Sequence, residues 1–325
     1  MNSVSRTVAA ASLCVLASNT LGQPSDGYPS RPVTVVAAIA PGGPVDIEGR
    51  LYMPKLQGLL GQPFVLDFKP GATGTIGAAF VARAQPDGYT LLIVTSGFTI
   101  YPLAYKNLPF DTIKDFAPLS LMSKKPTVLV AGPSFPPKNA TEYLAFAKAN
   151  PNKISFGTTG NGSSNHLVGA WLHSATNTKV TFVPYKGLGP ILPDLMVGRL
   201  DVTSAILSGV MPLIKAGKLR AIAMTGERRS TLLPDVSTIA ENGIPGFDAS
   251  YWIGFSAPAA TPNATASKLS EALARIAKMS DVVATLDADG ATAIGSTPEQ
   301  FRQLLISESA LWRKVVAESG IKFDD

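Results

Sequence analysis

Val33-Thr34-Val35-Val36-Ala37-Ala38-Ile39-Ala40 runs straight into Pro41-Gly42-Gly43-Pro44-Val45-Asp46, and the reading of this stretch decides the fold. The first part is an apolar run, the mark of a strand buried on both faces of a parallel sheet. The Pro/Gly segment breaks it. Asp46 then opens a helix to about Leu60, and Gly61 ends it. Working outward, 64–68 is a second strand, a helix follows through Arg83, and 89–95 is a third strand. Strand alternating with helix predicts a doubly wound α/β layout.

The pattern restarts after Pro118. Strands are expected at 127–131, 154–157, 180–184, 201–206 and 219–225, with helices at 141–149, 166–174, 191–197 and 211–216. Residues 251–257 read as a strand returning to the first unit. Helices at 264–278, in the 280s up to Gly290, and at 298–319 close the chain. Two crossings predict two lobes. One is discontinuous, 28–127 plus 250–325, and the other is continuous, 128–249. Ligands in such sheets sit outside the carboxyl ends of the strands.

The bulk numbers agree with two cores. The chain has 325 residues, 46% hydrophobic and 16% charged, which excludes a disordered chain. Its net charge of +5 is scattered, with Lys124-Lys125 and Arg228-Arg229 as the adjacent basic pairs. No basic stripe interleaved with aromatics exists, so nucleic acid is not expected as a partner. A mild positive field favours anionic small molecules. Near the N-terminus, Arg6 precedes an apolar run at 8–17 and then Asn19-Thr20-Leu21-Gly22. This reads as an export signal, 1–22, cut after Gly22, because the run falls short of the about 20 apolar residues that span a bilayer. Cys14 lies inside the signal, so the mature chain has no thiol for disulfides, catalysis or metal. A periplasmic monomer is expected.

Three strand-to-helix loops could carry chemistry. Glycines in Pro41 to Asp46 let backbone approach a ligand, and the following helix aims free N–H groups outward, although a plain turn capped by Asp46 would read the same. Gly157-Thr158-Thr159-Gly160-Asn161-Gly162-Ser163-Ser164-Asn165-His166 repeats that logic with more hydroxyls and amides; the alternative is a solvated Gly/Ser turn, but so many small polar residues between a strand and a helix favour ligand contact. At Thr95-Ser96-Gly97-Phe98, Ser96 can donate to a ligand, and Phe98 either stacks on it or packs on the lobe. Lys186, after Tyr185, either pairs with an anion or is solvated.

Other chemistries lack their parts. The 157–163 loop has no phosphate-loop lysine, and Gly71-x-x-Gly74-x-x-Gly77 is not dinucleotide spacing. No Gly-x-Ser-x-Gly elbow occurs. His166 and His173 are seven apart, not the four that favours a shared metal. No cofactor or metal is expected, and an exported hydrolase, the rival reading, would lack a nucleophile–base pair.

With these loops in view, the chain resembles the tripartite tricarboxylate transporter receptor family, also called the Bordetella uptake gene (Bug) family. The likeness is carried by Tyr28-Pro29-Ser30-Arg31-Pro32-Val33, the loop ending at Asp46, Arg83-Ala84-Gln85-Pro86-Asp87-Gly88-Tyr89-Thr90 and Lys114-Asp115-Phe116-Ala117-Pro118. It continues through Gly157 to His166, Val183-Pro184-Tyr185-Lys186-Gly187, Ala216-Gly217-Lys218-Leu219-Arg220-Ala221 and Gly295-Ser296-Thr297-Pro298-Glu299. The resemblance implies a two-lobed, type II-like periplasmic binding protein fold. Each lobe would hold a mainly parallel sheet flanked by helices, with the ligand in the cleft between. It implies a carboxylate ligand held by Pro41 to Asp46, Thr95 and Ser96 on one lobe, and by Asn161, Gly162, Ser163, Ser164, His166 and Tyr185 on the other. It also implies a membrane transporter as partner, or a signalling receptor in some members. One departure stands out. Where members often read Val-Met-Phe-Asp, this chain has Val202-Thr203-Ser204-Ala205, and loss of that acid points away from amino acids.

Overall fold

The computed structural model describes residues 27–321 and 323. The expected export signal, 1–22, lies outside the described residues. The apolar run becomes β1 (Val33–Ala37), which lies between β2 (Phe64–Phe68) and β3 (Thr90–Thr95) and runs parallel to both. Between them come α1 (Pro44–Leu60) and α2 (Thr75–Ala82). α1 starts two residues before the expected Asp46, because Pro44 suits a first-turn position whose N–H would be unpaired anyway. After β3 come a 3-10 turn at Ser96–Thr99, the short α3 (Tyr101–Ala104) and β4 (Phe116–Lys125).

The chain then crosses to the second lobe. There β5 (Thr127–Ala131), β6 (Ser155–Thr158), β7 (Thr181–Pro184), β8 (Val202–Ile206) and β9 (Arg220–Met224) form a sheet in the order β7-β6-β8-β5-β9. Its helices are α4 (Ala140–Ala149), α5 (Ser164–Ala175), α6 (Ile191–Met196) and α7 (Leu207–Lys215). β10 (Tyr251–Pro258) returns to the first lobe, followed by α8 (Asn263–Ile276), α9 (Ser280–Ala288), β11 (Thr292–Ala293) and α10 (Pro298–Ser319). The first sheet runs β11-β4-β10-β3-β1-β2.

Both sheets are mixed rather than mainly parallel. β10 runs antiparallel to β3 and β4, and β5 runs antiparallel to β8 and β9. These are the strands that carry the chain across, so each enters its sheet from the cleft side against the direction of the wound strands. The crossings are stitched together at the floor of the cleft. The Thr225 N–H donates to the Thr127 carbonyl at 2.8 Å, the Ala249 N–H to the Thr225 carbonyl at 2.8 Å, and the Thr127 hydroxyl to the Ala249 carbonyl at 2.9 Å.

β4 escaped the sequence reading for a physical reason. It carries Pro118, Ser120, Ser123, Lys124 and Lys125, and register shifts opposite β10 disrupt its alternation. Ser120, Ser123 and Lys125 are nevertheless buried and paired. Ser123 donates to Glu48 at 2.7 Å, and the Lys125 ammonium lies 3.0 Å from Glu48 and 2.6 Å from Asp289. Burial opposes the Lys125 charge, but the two carboxylates outweigh it and raise its pKa.

α10 does not belong to one lobe, as the expected division at 250–325 would have it. Phe301 and Leu305 enter the core of the first lobe beside Trp252 and Phe116, whereas Trp312 and Val315 enter that of the second. There Trp312 stands edge-on to Trp171 at 5.8 Å. A helix of 22 residues spans about 33 Å, enough for one apolar stripe to serve two cores.

Candidate functional site

Two adjoining cavities, of 360 and 210 Å³, lie between the lobes and share Thr159, Ser164 and Tyr251 in their walls. The second-lobe wall is the end of β6 and the start of α5. Gly162 holds φ +70°, which turns the chain into the helix, and a Cβ there would press on the Phe323 ring at 2.6 Å. Asn165 organises the loop from inside: its Oδ1 accepts from the Thr159 N–H at 2.9 Å and from the Thr159 hydroxyl at 3.0 Å. The Ser163 hydroxyl lies 2.7 Å from the Gly160 carbonyl and 2.8 Å from the same Oδ1. Ser163 is the N-cap residue, yet no side chain caps α5, and its first turn contains no acid. The opening N–H groups of a helix lack intrahelical partners and carry partial positive charge. Here they open beside Ser163 and Ser164, in the cavity wall.

The first-lobe wall is the turn after β3. Thr95 and Gly97 line the larger cavity and Ser96 the smaller. The Tyr251 side chain hydrogen-bonds Thr95, and burial raises its pKa well above the usual phenol value, so it stays a neutral hydroxyl. Tyr101 donates to the Thr73 carbonyl at 2.9 Å, and the Tyr105 and Thr73 hydroxyls meet at 2.7 Å. Beneath this wall, Glu308 of α10 accepts from Trp252 Nε1 at 2.7 Å and lies 3.2 Å from the Thr99 hydroxyl. Burial raises its pKa to about 7, with Asp248 adding to the shift and the hydrogen bonds and Lys124 opposing it.

Of the residues singled out from sequence, Thr95, Ser96, Asn161, Gly162, Ser163, Ser164 and Ala205 line these cavities. The others are placed elsewhere. Pro41, Gly42, Gly43, Pro44, Val45 and Asp46 are absent from both linings, where Ile39 represents that end of β1. Asp46 turns back on its own loop, accepting from the Gly42 N–H at 2.9 Å and from Arg50 Nε at 2.6 Å. The Gly42 bond, then the Arg50 pair, hold its carboxyl below the usual carboxylate range. Phe98 is 2% exposed and packs edge-on against Phe116 and Tyr101, so it serves the core.

His166 lies beneath the glycine loop, where Nδ1 accepts from the Gly162 N–H at 3.2 Å and the ring meets Phe182. Burial lowers its pKa to about 4, so it is neutral and shapes the loop. Tyr185 donates its hydroxyl to Asp194 at 2.8 Å, away from the cleft. Sequence reasoning missed Thr127, Ala249 and Tyr251 at the crossings, because their importance depends on the two crossing strands lying side by side. It also missed Val168 and Leu188, whose apolar character reads as core.

The cleft therefore offers hydroxyls, backbone N–H groups and a helix N-terminus. Among the described residues of its lining, no Asp, Glu, Lys, Arg or His is present to act as base or nucleophile partner.

Comparison with known proteins agrees with this geometry. The chain is 35% identical over 314 residues to the UPF0065 protein in the tcbD-tcbE intergenic region of Pseudomonas sp. (strain P51), covering 96% of this chain and 94% of the relative. It superposes on Rpa4515 of R. palustris solved with adipate at a TM-score of 0.80, with 32% identity over 91% of this chain and 100% of that one. MatC (Rpa3494) from Rhodopseudomonas palustris, with bound malate, gives a TM-score of 0.76 and 33% identity over 89% of this chain and 100% of that one. The profile of the tripartite tricarboxylate transporter family receptor matches residues 50–321, and the chain belongs to that family of periplasmic solute-binding proteins, which are transport receptors and not enzymes.

Proposed function

We propose that this protein, exported by a signal removed near Gly22, captures a small carboxylate between its lobes. The closed form then passes the ligand to a tripartite tricarboxylate-type membrane transporter. The observation that carries this reading is the N-terminus of α5, uncapped by any side chain and free of acid, opening into the cleft beside Ser163 and Ser164. Such an end attracts an anion by roughly 0.3–1 kcal/mol when exposed, and by up to about 2 kcal/mol when partly buried. The adipate and malate bound by the two R. palustris relatives are both carboxylates, which supports the same ligand class here. A dicarboxylate or an aromatic carboxylate fits better than an amino acid. Ala205 stands in the cavity wall, and among the described residues no carboxylate lines it to receive an ammonium group. Closure follows if the ligand bridges the Thr95–Gly97 turn and the α5 start, because it then prefers the closed state.

A thermal-shift screen of mono- and dicarboxylates, with glutamate and aspartate alongside, tests the ligand class. An acid at a hundred times its Kd should add about 2.7 kcal/mol of stability. A screen in which no carboxylate raises Tm, or in which amino acids alone do, would overturn the reading. Ligand-dependent co-purification with membrane transporter subunits tests the delivery step.

A further inference from the structure

We infer that Phe323, on the segment that follows α10, is a ligand-retaining residue: its ring closes one side of the larger cavity and holds the two lobes together there. This goes beyond the carboxylate reading above but rests on it, since it needs a ligand in that cavity. Three parts of the chain meet at Gly162. A Cβ built there would lie 2.6 Å from the Phe323 ring and 3.3 Å from the Ala104 Cβ. Gly162 belongs to the loop before α5 on the second lobe, and Ala104 ends α3 on the first. All three residues line the larger cavity.

The path of the chain explains how the ring arrives. Trp312 and Val315 anchor the second half of α10 in the second core. Gly320 then takes a left-handed φ of +69°, which ends the helix and turns the chain off its axis. Ile321 and Phe323 come back onto the second core, where Leu103 and Ala104 of α3 also pack. The segment is therefore carried by the second lobe, and its contact with α3 crosses between lobes. Parting the lobes breaks that contact. A contact made in only one arrangement shifts the equilibrium toward that arrangement by its own free energy.

A ring serving the core alone would be covered by it. Phe323 is only half-buried, and part of its surface belongs to the cavity wall. The other rings of that wall, Tyr101, Tyr105 and Tyr251, come from the first lobe. Phe323 is the ring the second lobe adds, among the described residues. A ligand seated at the α5 N-terminus lies on the same wall as this ring and must leave past it. Ligand and ring thus favour the same arrangement of the lobes, and the ring slows escape more than entry.

Stopped-flow fluorescence with adipate, which one R. palustris relative binds, compares wild type with Phe323→Ala and Phe323→Tyr. Phe323→Ala should release adipate about tenfold faster and bind it about tenfold more weakly, which is 1.4 kcal/mol, with association changed by less than about twofold. Phe323→Tyr keeps the ring and should stay within about threefold of wild type in Kd. Unchanged rates in Phe323→Ala, or a Tyr variant as impaired as the Ala variant, would overturn the inference. So would release and association rising together at constant Kd, which makes the ring a passive barrier, or tighter binding, which makes it an obstruction. A double-mutant cycle needs no ligand and separates this inference from the carboxylate reading. Gly162→Ala should lower the folding equilibrium constant at least about fivefold less in the Phe323→Ala background than in wild type. The strain at φ +70° is common to both backgrounds, and the clash with the ring is not. Independent effects would show that the ring does not stand on the loop and would overturn the inference, whatever adipate does. Failure of the wild-type protein to bind adipate, malate or benzoate would overturn the carboxylate reading and the retaining role with it, whereas binding with no change in release overturns the retaining role alone.

Discussion

The loops before α1 and α5 look alike in sequence, each a glycine turn between a strand and a helix, yet the molecule uses them differently. Before α1, Asp46 folds its carboxylate back onto the Gly42 N–H and pairs with Arg50. That helix end already carries its own anion. Before α5, the internal side-chain acceptors, Asn165 and His166, are neutral, the first turn holds no acid, and Ser163 and Ser164 stand in the cavity wall. A helix N-terminus is an anion site when nothing from its own chain has filled it. The difference between the two loops is thus one carboxylate, present in the first turn of α1 and absent from that of α5.

The most severe way to break the comparison is to make the second loop like the first. Ser164→Asp places a fixed anion in the first turn of α5. Ligand affinity, read by titration, should fall about a thousandfold, since like charges in close contact cost several kcal/mol. Tm should hold or rise slightly, because an acid suits that helix position. A loss below tenfold would remove the α5 site.

The next effect is on stability and concerns the support beneath the opposite wall. Glu308 titrates near 7 in the folded protein, above its ordinary 4.5. The folded state therefore binds more protons than the unfolded state between those values. The contribution of Glu308 to stability is therefore greatest below about pH 4.5 and is lost as pH rises toward 7. Glu308→Gln should flatten that decline and be more stable than wild type above pH 7 by roughly 3 kcal/mol. Denaturant melts at pH 4.5 and 8 check this, and equal differences at the two pH values would show that Glu308 ionises normally.

Gly162→Ala sharpens the geometry of the α5 loop. At φ +70°, with Phe323 in the way, a methyl group should cost about 1–2 kcal/mol of stability. The displaced loop should also lose about tenfold in affinity. The smallest effect is expected from Asp46→Asn, which should change affinity by less than about threefold, within the range of changes away from a site. A loss comparable to that of Ser164→Asp would show that both loops bind the ligand and would erase the contrast.

Much of this was legible in the chain. The 33–40 run, the restart after Pro118 and the return at 251–257 are local patterns with a direct physical meaning, and they foretold two wound lobes joined by crossings. β4 was hidden because its buried lysine, serines and proline imitate a surface segment. What makes it a strand is a set of partners, Glu48, Asp289 and Ser296, that lie far away in sequence. Phe98, His166 and Tyr185 were sound as residue types for binding, but each spends its functional atoms or ring face on the protein itself. No spacing rule reports that, because it depends on contacts at the scale of a few ångströms.

The sequence by itself determined the architecture and the family of this transport receptor, since strand burial, turn residues and order along the chain are local or linear properties. It also supplied two loops able to meet an anion. Tertiary structure alone decided which loop lines the cavity with a helix start that carries no acid of its own, and brought Thr127, Ala249 and Tyr251 into the adjoining wall. The reason is that a polar group's capacity to bind is what remains after its own neighbours are satisfied, and those neighbours are brought together by the crossings of the chain and by α10, which packs into both cores.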